Sequence, residues 1–189
     1  MNGERFLEAI SRHMDNTEAS MAESKEALIR EAKRIEEDSL YSAKGHFVAA
    51  RFWSNFHLWI GTPTAIMAAL AGASALSRFD NHNLIAGVLA IIVTALIALT
   101  TFLNPNEKAN SHRQSGNKYN TLRNAARIFY EIECPGKPHD ELLRRLTELA
   151  KQRDELNQNS PEIPGYAYRA AKKGIEEGQA AYKVDDRGS

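Results

Sequence analysis

The fold of this chain is decided by two apolar stretches, FHLWIGTPTAIMAALAGASAL at residues 56–76 and LIAGVLAIIVTALIALTTFL at residues 84–103. Neither stretch contains a Lys, Arg, Asp or Glu. They hold 21 and 20 residues. A helix rises about 1.5 Å per residue, so each spans about 30 Å, the thickness of the hydrocarbon core of a bilayer. Only seven residues, 77–83, connect them. The pattern predicts a transmembrane helical hairpin.

The second stretch is the stronger membrane segment. Twelve of its residues are Leu, Ile, Val or Phe, and each contributes roughly −0.3 to −0.6 kcal/mol to insertion. The first stretch is richer in Ala and contains Gly61 and Pro63, so we expect it to insert with its partner and to pack against protein. Small residues recur four apart at Ala65, Ala69 and Ala73, a spacing that lets helices approach closely in lipid. A soluble bundle is the alternative, but the polar flanks offer little to surround two apolar helices.

The distribution of Lys and Arg predicts the orientation of the hairpin. Six basic residues lie within twenty positions of its outer ends, and the connection holds only Arg78. Because basic residues are retained on the cytoplasmic side, both termini are predicted to be cytoplasmic. The upstream region is polar, which predicts that no signal peptide is present. An aromatic belt is predicted at the first membrane boundary, formed by Phe52, Trp53, Phe56 and Trp59.

The first 50 residues predict one long polar helix. Its apolar residues recur every seven positions, at Leu7, Met14, Met21, Leu28 and Ile35. The companion positions change from apolar to charged along the helix: Ile10, Thr17, Ser24 and Glu31. Such a half-apolar seam indicates packing against another helix. The helix either lies on the C-terminal half of its own chain or pairs with a second copy, and the pattern leaves both open.

A new helix is predicted directly after the second apolar stretch. Asn104 is a suitable N-cap, Pro105 suits the first helical position, and Glu107 can close a capping box. This helix is predicted to end near Ile132, before the helix-breaking run CPGKP at 134–138. Two more helices are predicted, at about 139–158 and 165–181, separated by SPEIP at 160–164.

Apolar residues at helical spacing run along each of these three helices. They are Tyr119, Leu122, Ala126 and Phe129 in the first, Leu142, Leu146, Leu149 and Leu156 in the second, and Tyr166, Ala170, Ile175 and Tyr182 in the third. No segment shows strand periodicity. The predicted fold class is therefore all-α, a membrane hairpin on a cytoplasmic helical bundle. The predicted segments are 1–50, the hairpin 51–104, 105–185 and a tail at 186–189.

Composition argues against several functional classes. The net charge is zero and no basic stripe occurs, which predicts no nucleic-acid partner. The single Cys134 excludes an intrachain disulfide and a cysteine-based zinc site. We find no Walker loop, Rossmann fingerprint or HExxH motif. We therefore predict no enzyme activity, no cofactor, and no catalytic, cofactor-binding or metal-binding residues.

Two C-terminal stretches carry a family resemblance. Residues 102–133 read FLNPNEKANSHRQSGNKYNTLRNAARIFYEIE, with Phe-Leu-Asn-Pro at the membrane exit followed by Lys108, His112, Gly116 and Tyr119. Residues 160–185 read SPEIPGYAYRAAKKGIEEGQAAYKVD. Together with the preceding hairpin, they resemble the SLATT family, the SMODS- and SLOG-associating two-transmembrane effector domains of bacteria. The resemblance covers about residues 44–185.

The resemblance implies a multi-pass effector of the bacterial inner membrane that acts in anti-phage conflict systems. Such an effector is expected to oligomerise and to permeabilise the membrane on a cytoplasmic signal, as in abortive infection. A separate sensor protein or a nucleotide second messenger would supply the signal. A homo-oligomer also follows from physics, because two helices cannot enclose water. The alternative function is a non-conducting membrane adaptor whose helical bundle binds a partner protein.

Candidate functional residues fall in four groups. Thr94 and Thr101 are seven apart and share a helix face, so they are candidates to line a pore, although Thr in a membrane helix often bonds its own backbone. His57, near the membrane boundary, is a possible gating or interface residue. The exit residues Asn104, Pro105, Glu107 and Lys108 are predicted to couple the cytoplasmic helices to the hairpin.

Basic residues after the exit form a further candidate group, Arg113, Arg123 and Arg127. They are predicted to contact an anionic ligand or lipid headgroups. The alternative is the ordinary basic collar on the cytoplasmic side of a membrane protein.

Overall fold

The computed structural model describes the backbone of residues 3–78 and 80–182 and the side chains of residues 20–78 and 80–182. Within these ranges the chain is helical and contains no strand, so the all-α prediction is confirmed. The heptad residues Leu7, Ile10, Met14 and Thr17 and the tail at 186–189 lie outside the described side chains.

Six α-helices and one π-helical turn make up this part of the chain. In order they are α1 Gly3–Leu76, α2 His82–Leu103, α3 Pro105–Ile128, a π-helical turn Phe129–Glu133, α4 Cys134–Gly136, α5 His139–Asn159 and α6 Gly165–Glu176.

Both helices of the hairpin end where the apolar pattern places their ends, at Leu76 and Leu103. The helix predicted for the N-terminal region and the first apolar stretch form one continuous helix, α1. It continues through Pro63, which membrane helices tolerate better than soluble ones. Asn81 precedes α2 with φ of 63°, a left-handed conformation that Asn adopts more readily than most residues.

The break after α3 takes the form of a widened turn. The N–H of Cys134 bonds to the carbonyl of Phe129, five residues earlier, and Pro135, which has no N–H, follows directly. Lys137 is extended, as expected for a residue before proline. α6 ends five residues earlier than predicted, because Gly178 takes φ of 80° and the N–H groups of Gly178 and Gln179 cap carbonyls of the last turn.

The chain divides into two compact units. Unit 1 comprises Met1–Ala43 and Gly116–Ser160, and unit 2 comprises Lys44–Ser115 and Pro161–Ser189. The predicted segment boundaries at 50/51 and 104/105 do not coincide with these limits, because α1 and α3 each contribute residues to both units.

Unit 1 has a core built by α1, α3 and α5. Its buried residues are Leu28, Ala32, Ile35, Leu122, Ala126, Phe129, Cys134, Leu142, Leu146 and Leu149. The apolar faces predicted for α3 and α5 are therefore confirmed. Leu28 and Ile35 pack on the chain's own later helices, which supports the intrachain reading for that half of the heptad pattern. Met21, one heptad earlier, is 58% exposed.

The hairpin of unit 2 has one sheltered seam on each helix. Sheltered residues recur three or four apart, at Ile60, Thr64, Met67, Ala71 and Ser74 in α1, and at Ala86, Leu89, Val93, Leu96 and Thr100 in α2. This spacing places each set on one helix face, and we infer that the two helices pack along these faces. The small residues Ala65, Ala69 and Ala73 are exposed off the seam.

The apolar residues noted for α6 do not form its buried face. Tyr166, Ala170 and Tyr182 are exposed and Ile175 is half-buried, whereas Ala167, Ala171 and Gly174 are buried. Small residues occupy the packed side because they allow close approach, and the larger tyrosines remain outside.

Candidate functional site at the base of the hairpin

The base of the hairpin consists of residues 44–55 of α1 and residues 104–115, all within unit 2. A single residue, Asn104, joins α2 to α3. It takes φ of 44° and ψ of 57°, and its N–H bonds to the carbonyl of Thr100 at 3.0 Å. Its carbonyl accepts the N–H of Lys108 at 3.2 Å. Asn104 therefore caps one helix and begins the next, which leaves little slack between α2 and α3.

Glu107 bonds differently from the predicted capping box. In that motif its carboxylate would accept the backbone N–H of the N-cap residue. The N–H of Asn104 is instead used on Thr100, and Glu107 accepts the side-chain amide of Asn104. The carboxylate still holds the exit residue, but through the side chain.

Aromatic rings and two basic side chains meet on the membrane-facing part of the base. The rings of Phe52, Trp53 and Phe56 contact one another with centroids 5.5 to 6.3 Å apart. Lys108 Nζ lies 4.5 Å from the centroid of the Trp53 ring, within cation–π range. Arg113 donates to Ser54 Oγ at 3.4 Å. Of the predicted site residues of α3, Lys108 thus contacts the aromatic belt itself, and Arg113 contacts Ser54 beside it.

A buried histidine pair bridges α1 and α3 on the polar side of this belt. His46 is 1% exposed and His112 is 5% exposed. Their Nδ1 atoms lie 2.9 Å apart, so one ring donates a hydrogen bond to the other. Such a bond requires at least one Nδ1 without a proton.

Burial governs the protonation of this pair. It lowers the pKa of His46 from 6.5 to about 4, with a smaller contribution from a charge on His112. It also lowers the pKa of His112. Both rings are therefore neutral at pH 7, which suits a hydrogen bond inside a helix interface.

The sequence offered no signal for this pair. His112 stands out only as one of the residues that carry the family resemblance, no motif includes His46, and 66 positions separate the two. Only the packing of α1 on α3 brings the two rings together. Buried positions at helical spacing are visible in a sequence, but the partner that each one meets is not.

Comparison with known proteins identifies the family. A family model described as SMODS and SLOG-associating 2TM effector domain family 4 matches residues 26–186. The chain belongs to this family. Neither curated proteins nor solved structures yield a match. Family membership and the two apolar helices make the chain a membrane protein, an effector domain of conflict and defence systems.

The remaining site predictions for this SLATT family 4 protein concern separate places in the fold. Thr94 is exposed off the hairpin seam, and its hydroxyl donates to the carbonyl of Ala90 at 2.8 Å. Thr101 is also exposed, and His57 is half-buried. These roles remain predictions.

Arg123 and Arg127 belong to unit 1 rather than to the hairpin base. The side chain of Arg123 is 12% exposed and lies 3.6 Å from the carboxylate of Glu36. Glu36 also accepts the hydroxyl of Tyr130 at 2.6 Å. Arg127 is half-buried. The structure therefore brings Lys108 and Arg113 together at the base but places Arg123 in an internal network.

The histidine pair predicts acid sensitivity of this SLATT protein. The unfolded chain takes up protons below about pH 6.5, whereas folded His46 takes one up only near pH 4. The contribution of His46 to stability should therefore be constant above about pH 6.5 and become increasingly unfavourable as the pH drops from 6.5 to 4. For His46 alone, the free energy of unfolding should fall by up to about 1.4 kcal/mol per pH unit in this range. Thermal unfolding of the full chain in detergent measures it.

The control for this prediction removes both rings. His46→Leu/His112→Leu removes both titratable rings, so the stability of this variant should fall less steeply across the same pH range. An acid slope equal to that of the wild type would show that other groups cause the acid sensitivity.

Proposed function

We propose that this SLATT protein is an oligomeric effector that permeabilises the bacterial inner membrane on a cytoplasmic signal, with both termini in the cytoplasm. It acts by changing the membrane barrier rather than by catalysis. The signal comes from a separate sensor protein or a nucleotide second messenger.

The exposed small-residue face of α1 carries this proposal. One hairpin packs along one seam and encloses no channel, so a water path needs several copies. Ala65, Ala69 and Ala73 lie off that seam and are exposed. Their spacing lets another helix approach closely in lipid. The face thus supports association between hairpins, which permeabilisation requires.

The short connection between α2 and α3 supports transmission of the cytoplasmic signal to the hairpin. Only Asn104 separates α2 from α3, and it bonds to both helices. Lys108 and Arg113 tie the start of α3 to Trp53 and Ser54 of α1. A movement of α3 at the base would therefore act on both hairpin helices.

A bulky residue on the small face should abolish permeabilisation. Ala69→Phe would keep α1 apolar but hold a neighbouring helix away. A loss of about 1.4 kcal/mol in the free energy of association lowers the association constant tenfold. We therefore expect at least about tenfold less cross-linked oligomer. Dye entry and loss of membrane potential should fall with it. The measurements use cells that overproduce the full chain and phage-challenged cells that carry its neighbouring genes.

Leu70→Phe is the matched control, because Leu70 is already large and is 54% exposed on the same turn. It should leave oligomers and dye entry unchanged. If Ala69→Phe still forms oligomers and collapses the potential, another face mediates assembly.

The second candidate function is a non-conducting adaptor. It is favoured by the Thr94 hydroxyl, which is already satisfied by the carbonyl of Ala90 within its own helix. An intact membrane potential in challenged cells that contain the inserted protein would favour the adaptor and reject the pore.

A further inference from the structure

The last helix, α6, begins beside the hairpin base, and two contacts fix its entry. Ile163 packs directly against Gly45, which has no side chain: a Cβ added to Gly45 would lie only 2.9 Å from Cγ2 of Ile163. The ring of Tyr166 is centred 5.0 Å from the ring of Phe52. Gly45 and Phe52 are seven residues apart on α1, about 10 Å along its axis. Between Ile163 and Tyr166 the chain therefore advances toward the bilayer.

Tyr166 lies at the level of the aromatic belt. Phe52 precedes the first apolar stretch by four residues, about 6 Å along the helix. That level corresponds to the headgroup region, where amphipathic aromatic rings are favoured. Phe52 and Tyr166 are 45% and 39% exposed in the single chain. Both rings thus present surface at the depth of the headgroups.

α6 has a packed side and a basic side. Ala167, Ala171 and Gly174 are buried. The exposed residues at helical spacing on the other side are Tyr166, Arg169, Ala170 and Lys173, with Lys172 adjacent. The acidic residues Glu176 and Glu177 lie one turn further on, 3.8 Å from Lys172 and 3.7 Å from Lys173. Ion pairs between exposed side chains are weak, so Lys172 and Lys173 remain available to bind other anions.

We propose that α6 is an interfacial helix whose Arg169, Lys172 and Lys173 bind the phosphates of anionic phospholipids in the leaflet at the hairpin base. The positive side chains complement an anionic surface, and Tyr166 adds an aromatic anchor. The ring contact with Phe52 makes α6 continuous with the surface that the hairpin presents to lipid. The inference goes beyond the proposed function, because it requires the hairpin to lie in a membrane but does not require it to form a pore.

A fluorescent probe on α6 tests this proposal. Ala170→Cys places a reactive thiol on the basic side, and the native Cys134 is only 1% exposed. The labelled full chain is reconstituted into vesicles of phosphatidylcholine, or of phosphatidylcholine with phosphatidylglycerol, that contain a headgroup-attached nitroxide quencher. Quenching should be stronger with phosphatidylglycerol.

Neutralising the basic side should weaken that quenching. In Arg169→Gln/Lys172→Gln/Lys173→Gln we expect about threefold less quenching with phosphatidylglycerol. High salt should reduce the quenching of the unneutralised protein by a similar factor. The matched control, Arg30→Gln/Arg34→Gln/Lys151→Gln, removes the same charge from side chains that are 59%, 70% and 77% exposed. It should leave the quenching unchanged.

Three outcomes would overturn the proposal. The first is equal quenching in the two lipids, or equal quenching of the two triple variants. The second is weak quenching that salt does not change, which would mean that a second copy covers α6. The third is a response of the probe to inorganic phosphate in detergent, which would indicate a site for a soluble anion.

Two further measurements test the proposed function and membrane insertion separately from lipid binding by α6. Retention of dye in vesicles that contain integrated protein would count against permeabilisation and leave the lipid test valid. Loss of the chain on carbonate extraction would instead reject membrane insertion itself.

Discussion

Replacing Ile92 by Arg should prevent stable integration of the hairpin and abolish activity in cells. Ile92 lies in the middle of α2 and is 42% exposed, off the hairpin seam. A charged side chain at the centre of a membrane helix costs about 2.5–3.5 kcal/mol on insertion scales. Since 1.4 kcal/mol is a factor of ten, the insertion equilibrium should fall about a hundredfold. Carbonate extraction of membranes followed by immunoblotting measures the integrated fraction.

A matched substitution separates the membrane from simple exposure. Leu143 on α5 is 49% exposed, close to the value for Ile92, and lies outside both apolar stretches. Leu143→Arg should leave integration, stability and activity nearly unchanged, because an exposed polar substitution costs little in water. If Ile92→Arg were equally harmless, the second apolar stretch would not cross the bilayer.

The hairpin could be predicted from sequence because its signal is local. Insertion depends on the summed apolar character of about twenty consecutive residues, and Leu76 and Leu103 end both the apolar runs and the helices. The core face of α3 was predictable for a related reason. Tyr119, Leu122 and Phe129 repeat at helical spacing, and each is at most 4% exposed.

The hairpin base could be predicted only in part. Asn104 and Lys108 were identified from the exit motif, and both lie at the base. The histidine pair depends on how α1 packs on α3, which no local pattern specifies. The packed side of α6 was missed because Ala167, Ala171 and Gly174 carry a weaker apolar signal than Tyr166. Close packing of small residues is a tertiary property.

A second large effect is expected in the core of unit 1. Phe129 is fully buried among Leu122, Leu142 and the other core residues, within the π-helical turn. Phe129→Ala removes most of a large side chain and leaves a cavity that helices α1, α3 and α5 cannot fill without moving. Such substitutions cost about 3–5 kcal/mol, a large fraction of the 5–15 kcal/mol that stabilises a typical domain.

Urea unfolding of the full chain in detergent, followed by far-UV circular dichroism, measures this loss. Ile132→Ala is the matched control, because Ile132 belongs to the same π-helical turn and is 70% exposed. Its midpoint should stay within the error of the wild type. Equal shifts for the two variants would mean that the turn itself, and not the burial of Phe129, limits stability. If Phe129→Ala unfolds early but still inserts, the hairpin enters the membrane without the core of unit 1, since insertion depends on the apolar stretches alone.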